Sequence, residues 1–332
     1  MLDMALLFGV VFASILARAA SVGVCYGMSA NNLPPPSTVV GMLQDNGFNS
    51  VRLYAPDGDA LAALGGTGIG VIVGAPNYVL PDLATSASAA AAWIRANIEA
   101  HPSVSFRYLS VGNEVAGSDT QYLVPAMENV YGALAAAGLG HISVTTAISQ
   151  VTIAVHLPPS AGEFADGDRP FLLPVLQFLE RTGAPLLANL YPYFVYTYNP
   201  GLMELSFPLF TAPGVVVQDG EYGYQNMFDA SVDAVHAAVD RLLGSSGSVG
   251  VVVSETGWPS AGGEAASVEN ARTYNQNLAS HVVKGTPRRP WKVETYLFSM
   301  FNENLKDAGV EQNWGLFYPS TDRVYPITFG SK

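Results

Sequence analysis

The sequence predicts a (β/α)8 barrel of the TIM type, and three observations carry that reading. Eight short β-rich runs recur along the chain with helical stretches between them, the pattern of strands and covering helices. Most of those runs are near-continuously apolar rather than alternating, as expected of strands covered on both faces. The runner-up, a doubly wound sheet, would carry a Gly-rich G-x-G-x-x-G turn after its first strand, and none is present here.

In chain order the runs are VGVCYG (22–27), SVRLYAP (50–56), GVIVGAP (70–76), FRYLSVGNE (106–114), ISVTTAIS (142–149), PLLANLYPY (185–193), VGVVVSETGWP (249–259) and VETYLFSMFNEN (293–304). Between them, alanine-rich stretches such as Ser86 to Ala100, Thr120 to Ala137 and Ala230 to Leu243 repeat apolar residues at three and four, the helical period. Leu123, Met127, Val130 and Leu134 display that spacing within one stretch. The interval from Phe194 to Phe228, between strand 6 and its helix, is rich in Tyr, Pro, Gly and Asn. A long insertion on that side of a barrel strand is where a small substrate-binding subdomain is built.

Composition narrows the partners. Of 332 residues, 49% are hydrophobic and 13% charged, enough apolar material for a large core and too little charge for disorder. The formal net charge of −12 repels phosphate backbones and anionic lipids, which argues against nucleic acid or membrane partners. Residues 5–16 (ALLFGVVFASIL), followed by Ala17-Arg18-Ala19, read as a secretory signal peptide over residues 1–20. Residues 21–332 are then one exported domain, and no other segment is long and apolar enough to span a bilayer. The single cysteine, Cys25, lies in an apolar run and reads as a buried, inert thiol. With one cysteine and five scattered histidines, a structural zinc site has no support.

The functional signal lies at two strand ends. Strand 4 closes on Val111-Gly112-Asn113-Glu114 and strand 7 on Val253-Ser254-Glu255. Active sites of this architecture gather at the C-terminal ends of the strands, so the two glutamates should face one another across the barrel mouth. Paired carboxylates across a cleft suit cleavage of a glycosidic bond: one protonates the leaving oxygen while the other attacks or assists at the anomeric carbon. One such glutamate alone could as well cap a helix or pair with a cation; two at matching strand ends make that bland reading poor. Glu303, at the end of run 8, with Lys306 and Glu311 behind it, extends the group, although mixed charge there also fits a surface loop. Tyr26, Tyr54, Tyr191, Tyr193, Trp258, Phe298 and Trp314 lie at or near strand ends, where aromatic faces either stack on sugar rings or pack the rim.

VVVSETGWPSAGG (251–263), SVGNEVAG (110–117), NLYPYF (189–194), MFNENLK (300–306) and EQNWGLFYP (311–319) together resemble the plant endo-β-glucanases of glycoside hydrolase family 17, over about Val22 to Phe329. The resemblance implies a secreted retaining enzyme with Glu255 as nucleophile, Glu114 as acid/base and Asn113 on the 2-hydroxyl of the sugar. Asn189, Tyr191 and Tyr193 come with the NLYPYF stretch as substrate-binding or supporting residues. Glu303, Lys306 and Glu311 match charged positions flanking the pair, with positioning roles. It implies no metal or organic cofactor and a β-glucan polysaccharide as substrate in the apoplast or cell wall; a monomer is the default for an enzyme working on a polymer. YGMSANNLP, RLYAP, VGAPNYVL and EYGYQNMFD look more like the mixed-linkage β-1,3;1,4-glucanases than the β-1,3-glucanases, while Asp57-Gly58-Asp59 and the stretch from Val151 to Phe171 depart locally. Wall remodelling, germination and defence remain open as roles. A non-catalytic carbohydrate-binding barrel is the competing class, and intact Glu114 and Glu255 weigh against it.

Overall fold

The computed structural model describes residues 22–329; the signal-peptide reading falls on residues outside that range. Eight parallel strands close into a barrel: Gly23–Cys25, Ser50–Leu53, Gly70–Ala75, Ser105–Asn113, Ser143–Ser149, Leu186–Asn189, Val251–Thr256 and Thr295–Leu297. Each lies inside one of the eight sequence runs or within one residue of it. Neighbours in sequence are neighbours in the ring, and the last strand pairs with the first through Gly23 opposite Tyr296 and Val24 opposite Leu297. Closure leaves no free edge in the barrel sheet.

The helices form where the apolar spacing predicts them. Thr120–Ala136 buries Leu123, Met127, Val130 and Leu134 against the barrel. The stretch after Ser86 is α-helical over Ala87–Ile94, with the Ser86 hydroxyl accepting from the Ala89 N–H, and widens into a π-turn at Arg95–Glu99. The helix expected from Ala230 spans Met227–Leu243. Asn226 accounts for its earlier start: the Asn226 side chain caps it by accepting from the Asp229 N–H at 2.8 Å. Gly244, at φ 68°, ends it in the left-handed conformation that glycine adopts freely.

The predicted insertion is present after strand 6. It contains a short helix, Pro192–Tyr198, and an antiparallel hairpin of Val217–Asp219 with Tyr222–Tyr224. Asp219 fastens the hairpin by accepting from the Ser160 N–H (2.7 Å), the Ser160 hydroxyl (2.6 Å) and Arg288 (3.1 Å). A second ribbon, Ile153–Val155 with Glu163–Phe164, lies in the stretch that departs from the family. Its strands, of three residues and two, are too short to leave a periodic trace in sequence. Among the described residues no helix is long and apolar enough to cross a membrane.

Candidate active site

Two interrupted strand ladders aim the acids. On strand 4 the pairing with strand 5 slips between Ser110 and Asn113, and Gly112 takes φ 77°. Glu114 itself takes φ 51°, while its N–H still donates to the Ala147 carbonyl at 2.8 Å. A side chain at Gly112 would carry its Cβ to 2.5 Å from Val115 Cγ2, so glycine is required by space as well as by backbone. On strand 7, Val253 pairs with Ala188 and Glu255 with Asn189, leaving Ser254 as an extra residue. Bulges of this kind re-aim side chains at barrel rims.

Both glutamates line one cavity of about 700 Å³ at the C-terminal mouth. Arg52, only 1% exposed, lies behind the cavity wall and holds residues that line it. Its Nη1 donates to Glu255 Oε1 (2.9 Å), Asn189 Oδ1 (2.9 Å) and the Ser254 carbonyl (3.1 Å), and its Nη2 to Asn113 Oδ1 (2.7 Å). Asn189 Nδ2 in turn donates to Glu114 Oε1 at 2.8 Å and Asn113 Oδ1 at 3.1 Å. The second oxygen of Glu255 accepts from the Tyr191 hydroxyl at 2.5 Å. One guanidinium and one amide therefore fix Asn113, Glu114 and Glu255 relative to each other.

The electrostatics are asymmetric. Glu255 is 6% exposed and has both oxygens engaged by donors, one of them cationic. Glu114 opens onto the cavity, and its pKa is raised, first by desolvation in the cavity wall and then by the negative charge of Glu255. Hydrogen bonds from Asn189 and Ser149 offset part of that rise. An acid that holds its proton beside one tied to donors is the division of labour that acid–base chemistry on a pair requires.

The remaining site residues divide into cavity wall and support. Tyr26, Tyr54, Asn113, Tyr191, Phe298, Glu303, Lys306 and Glu311 line the cavity. Burial, then the charge of Asp57, pushes Tyr26 up to about 12, and burial holds Tyr191 and Tyr54 well above the usual tyrosine value, so all three serve as neutral hydroxyls. Phe298 meets Tyr54 and Tyr191 edge-on, with ring centroids 6.3 and 6.1 Å apart, and the Lys306 ammonium lies 4.2 Å from its ring centroid. Glu303, expected at the end of strand 8, stands six residues beyond it, because strand 8 stops at Leu297. It is 2% exposed and holds the first loop: Oε1 accepts from the Ser29 N–H at 2.7 Å, and Oε2 lies 3.4 Å from Lys306. A Cβ at Gly27 would sit 2.4 Å from Glu303 Oε2.

Three expected site residues do not reach the cavity. Asn189 is fully buried and acts through Arg52 and the glutamates. Trp258 is also fully buried, its indole N–H donating to the Ala265 carbonyl at 2.9 Å. Tyr193 packs behind the wall, edge-on to Trp258 at 5.1 Å and to Trp314 at 5.6 Å. Tyr193 thus braces the cavity-facing Trp314, with Trp258 packed behind Tyr193, and neither offers a face to a ligand. Cys25 is fully buried, donates to the Ser254 carbonyl at 3.3 Å and is pushed up to about 12, first by burial, as the inert reading expects.

Sequence reasoning passed over Arg52, Ser149, Gln150, Phe194 and Tyr198. Arg52 had a signal: it is the one cation inside the run SVRLYAP, and a buried strand admits a charge only when it is paired. Gln150 had none; it accepts from the Tyr191 N–H at 2.7 Å and lines the cavity. Phe194 and Tyr198 stack at 5.5 Å and 19° along the insertion helix and form one cavity wall.

The family model for glycosyl hydrolases family 17 matches residues 22–329, the whole barrel and its insertion. The chain belongs to glycosyl hydrolases family 17. This family 17 chain is 62% identical to Lichenase-2 of Hordeum vulgare over 309 residues, covering 93% of this chain and 98% of that protein. It is 52% identical to the acidic isoform of glucan endo-1,3-beta-glucosidase of Zea mays over 328 residues, covering 98% and 96%. A solved structure from work on two plant beta-glucan endohydrolases with distinct substrate specificities superposes with a TM-score of 0.91 at 61% identity, covering 93% of this chain and 100% of that one. A beta-1,3-glucanase and allergen of Cryptomeria japonica pollen, CJP38, superposes with a TM-score of 0.90 at 42% identity, over 94% and 99% of the two chains.

Proposed function

We propose that this chain is a secreted, retaining endo-β-glucanase that cleaves internal bonds of mixed-linkage β-1,3;1,4-glucan. Residues 1–20 are its export signal, and residues 21–332 form one catalytic domain acting as a monomer outside the cell. The observation that carries the reading is the Arg52–Asn189 link, which ties Glu255 and Glu114 together in the wall of one cavity.

Glu255 attacks the anomeric carbon with the oxygen pair that Arg52 and Tyr191 position, while Glu114 gives its proton to the departing glycosidic oxygen. A glycosyl ester on Glu255 results, with the leaving chain released. Glu114, now ionised, takes a proton from a water that attacks the same carbon, freeing Glu255 and restoring the configuration. Asn113 has its Oδ1 occupied by Arg52 and Asn189, so its Nδ2 is the group left to donate to the 2-hydroxyl of the reacting sugar. Tyr26, Tyr54, Phe298 and the Phe194–Tyr198 pair supply faces and edges along the cavity for neighbouring rings.

The 62% identity with Lichenase-2 favours mixed linkage. The 52% identity with the Zea mays enzyme favours the second reading, an endo-β-1,3-glucanase. Initial rates on mixed-linkage cereal glucan and on a linear β-1,3-glucan separate the two, and faster hydrolysis of the latter overturns the first. Proton NMR of the first-formed reducing end tests retention: the β-anomer is expected, and an initial α-anomer refutes Glu255 as nucleophile.

A further inference from the structure

A second cavity, of about 240 Å³, lies at the opposite end of the barrel. Gly250, Val251 and Val293 border it, and these residues stand where strands 7 and 8 begin, whereas Glu255 stands where strand 7 ends. Helix Met227–Leu243 contributes Val232 and His236, and the loop before strand 8 contributes Arg289, Trp291 and Lys292.

Three features of this cavity point to a ligand. His236 is 9% exposed and lines the cavity, and its buried Nδ1 has no hydrogen-bond partner, an unmet need beside the side chains of Val232, Val249, Val251 and Val293. Trp291 is 62% exposed at the rim, a large flat apolar face that the fold has not buried. The cations offer little to an anion: Arg289 is shared between Asp233 and Asp240, each at 3.4 Å, and of the lining cations this leaves Lys292. Burial, and then the Arg289 charge, lowers His236 to about 3, so its imidazole is neutral across the working pH range. A neutral hydrogen-bonding group, an indole face and an apolar wall suit a neutral, hydroxyl-rich ring with an apolar face.

We propose that this cavity is a second glucan-holding site, taking one glucosyl ring of a neutral β-glucan against Trp291, with a sugar hydroxyl on the His236 imidazole. The choice of ligand rests on the endo-β-glucanase reading above. The strand between the two sites is about 16–20 Å long, so the second site is no extension of the cleft. It tethers a separate stretch of polymer and raises the local concentration of substrate.

Affinity electrophoresis through gels containing mixed-linkage cereal glucan tests it, with Glu255→Ala as background so that the polymer survives. Trp291→Ala should weaken retardation about three- to tenfold, the range for one aromatic stacking partner, and Trp291→Phe should recover most of it. In the otherwise native enzyme, Trp291→Ala should leave kcat/KM on a short soluble oligosaccharide unchanged within twofold. Equal retardation of Trp291→Ala and its parent overturns the site. Trp291-dependent retardation by polygalacturonate and not by glucan overturns it in favour of an anion site. Failure of the native enzyme to hydrolyse any β-glucan sinks the functional reading instead, so the two failures are distinct.

Discussion

Replacing Arg52 with lysine keeps the charge and removes the fork, and the structure sets what that should cost. Arg52 Nη1 serves Glu255, Asn189 and the Ser254 carbonyl, while Nη2 serves Asn113. A lysine ammonium is a single point and cannot occupy both nitrogen positions, so at least one charge-assisted bond is lost, at about 1.5–3 kcal/mol. At about 2–4 °C per kcal/mol, Arg52→Lys should melt roughly 3–12 °C below the parent. Arg52→Met goes further by leaving a buried carboxylate without its cation, at about 3–5 kcal/mol. Arg52 does not line the cavity, so its effect on catalysis passes through the carboxylates it holds. A displaced nucleophile in an intact cleft should lower kcat about a hundredfold in Arg52→Lys while KM moves little. Steady-state kinetics on mixed-linkage glucan, with thermal melts in parallel, measure both. A wild-type kcat in Arg52→Lys, or a loss confined to KM, would refute the reasoning.

Other expectations follow from single contacts. Glu255→Ala should nearly abolish hydrolysis, and Glu255→Gly given an α-glucosyl fluoride should form glycosidic bonds; near-normal hydrolysis by Glu255→Ala removes the nucleophile assignment. Tyr191→Phe deletes the 2.5 Å bond to Glu255 and should reduce kcat/KM about ten- to a hundredfold, the worth of one bond to a charged group. The Glu114 pKa is raised, so Glu114 keeps its proton to higher pH than an ordinary glutamate, and with Glu114 as the proposed acid the alkaline limb of the pH–rate profile should track the loss of that proton. Glu255→Gln removes one of the charges responsible, and carboxyl-carbon NMR should find Glu114 titrating lower in that variant; an unchanged or higher value contradicts the coupling. Gly112→Ala would force a side chain into φ 77° with its Cβ 2.5 Å from Val115 Cγ2, and should cost about 1–3 kcal/mol and activity together. Wild-type rates in that variant would detach the backbone turn from the chemistry.

The barrel was legible because its strands are covered on both faces and carry that burial as unbroken apolar runs. All eight runs hold a strand, and the ring order follows the chain. The acids were legible because strand ends in this architecture share one mouth. The roles of the aromatics were not. Tyr191 and Tyr193 are two residues apart in one motif, yet Tyr191 touches Glu255 while Tyr193 packs behind Trp314. The helix Pro192–Tyr198 begins between them and breaks the alternation that would have put both on one face. The two short hairpins were equally silent, since strands of two or three residues owe their form to anchors such as Asp219 and not to a pattern.

The bulges explain why the site needs more than a barrel. In an undistorted strand consecutive side chains point to opposite faces, so Asn113 and Glu114 could not both face a ligand. They do line one cavity, because Gly112 and Glu114 both adopt positive φ and turn the chain between them. On strand 7 the extra residue, Ser254, turns its hydroxyl to Asn189 Oδ1 at 2.8 Å, while Glu255 moves into register with Asn189. Asn189 is thereby held by Ser254 and Arg52 on its oxygen and holds Asn113 and Glu114 with its nitrogen. Local departures from strand geometry place the acids, and one buried amide and one buried guanidinium convert those departures into a fixed distance between them. The chemistry proposed for the two glutamates depends on that distance, so its determinants are as much Arg52, Asn189, Gly112 and Ser254 as the glutamates themselves.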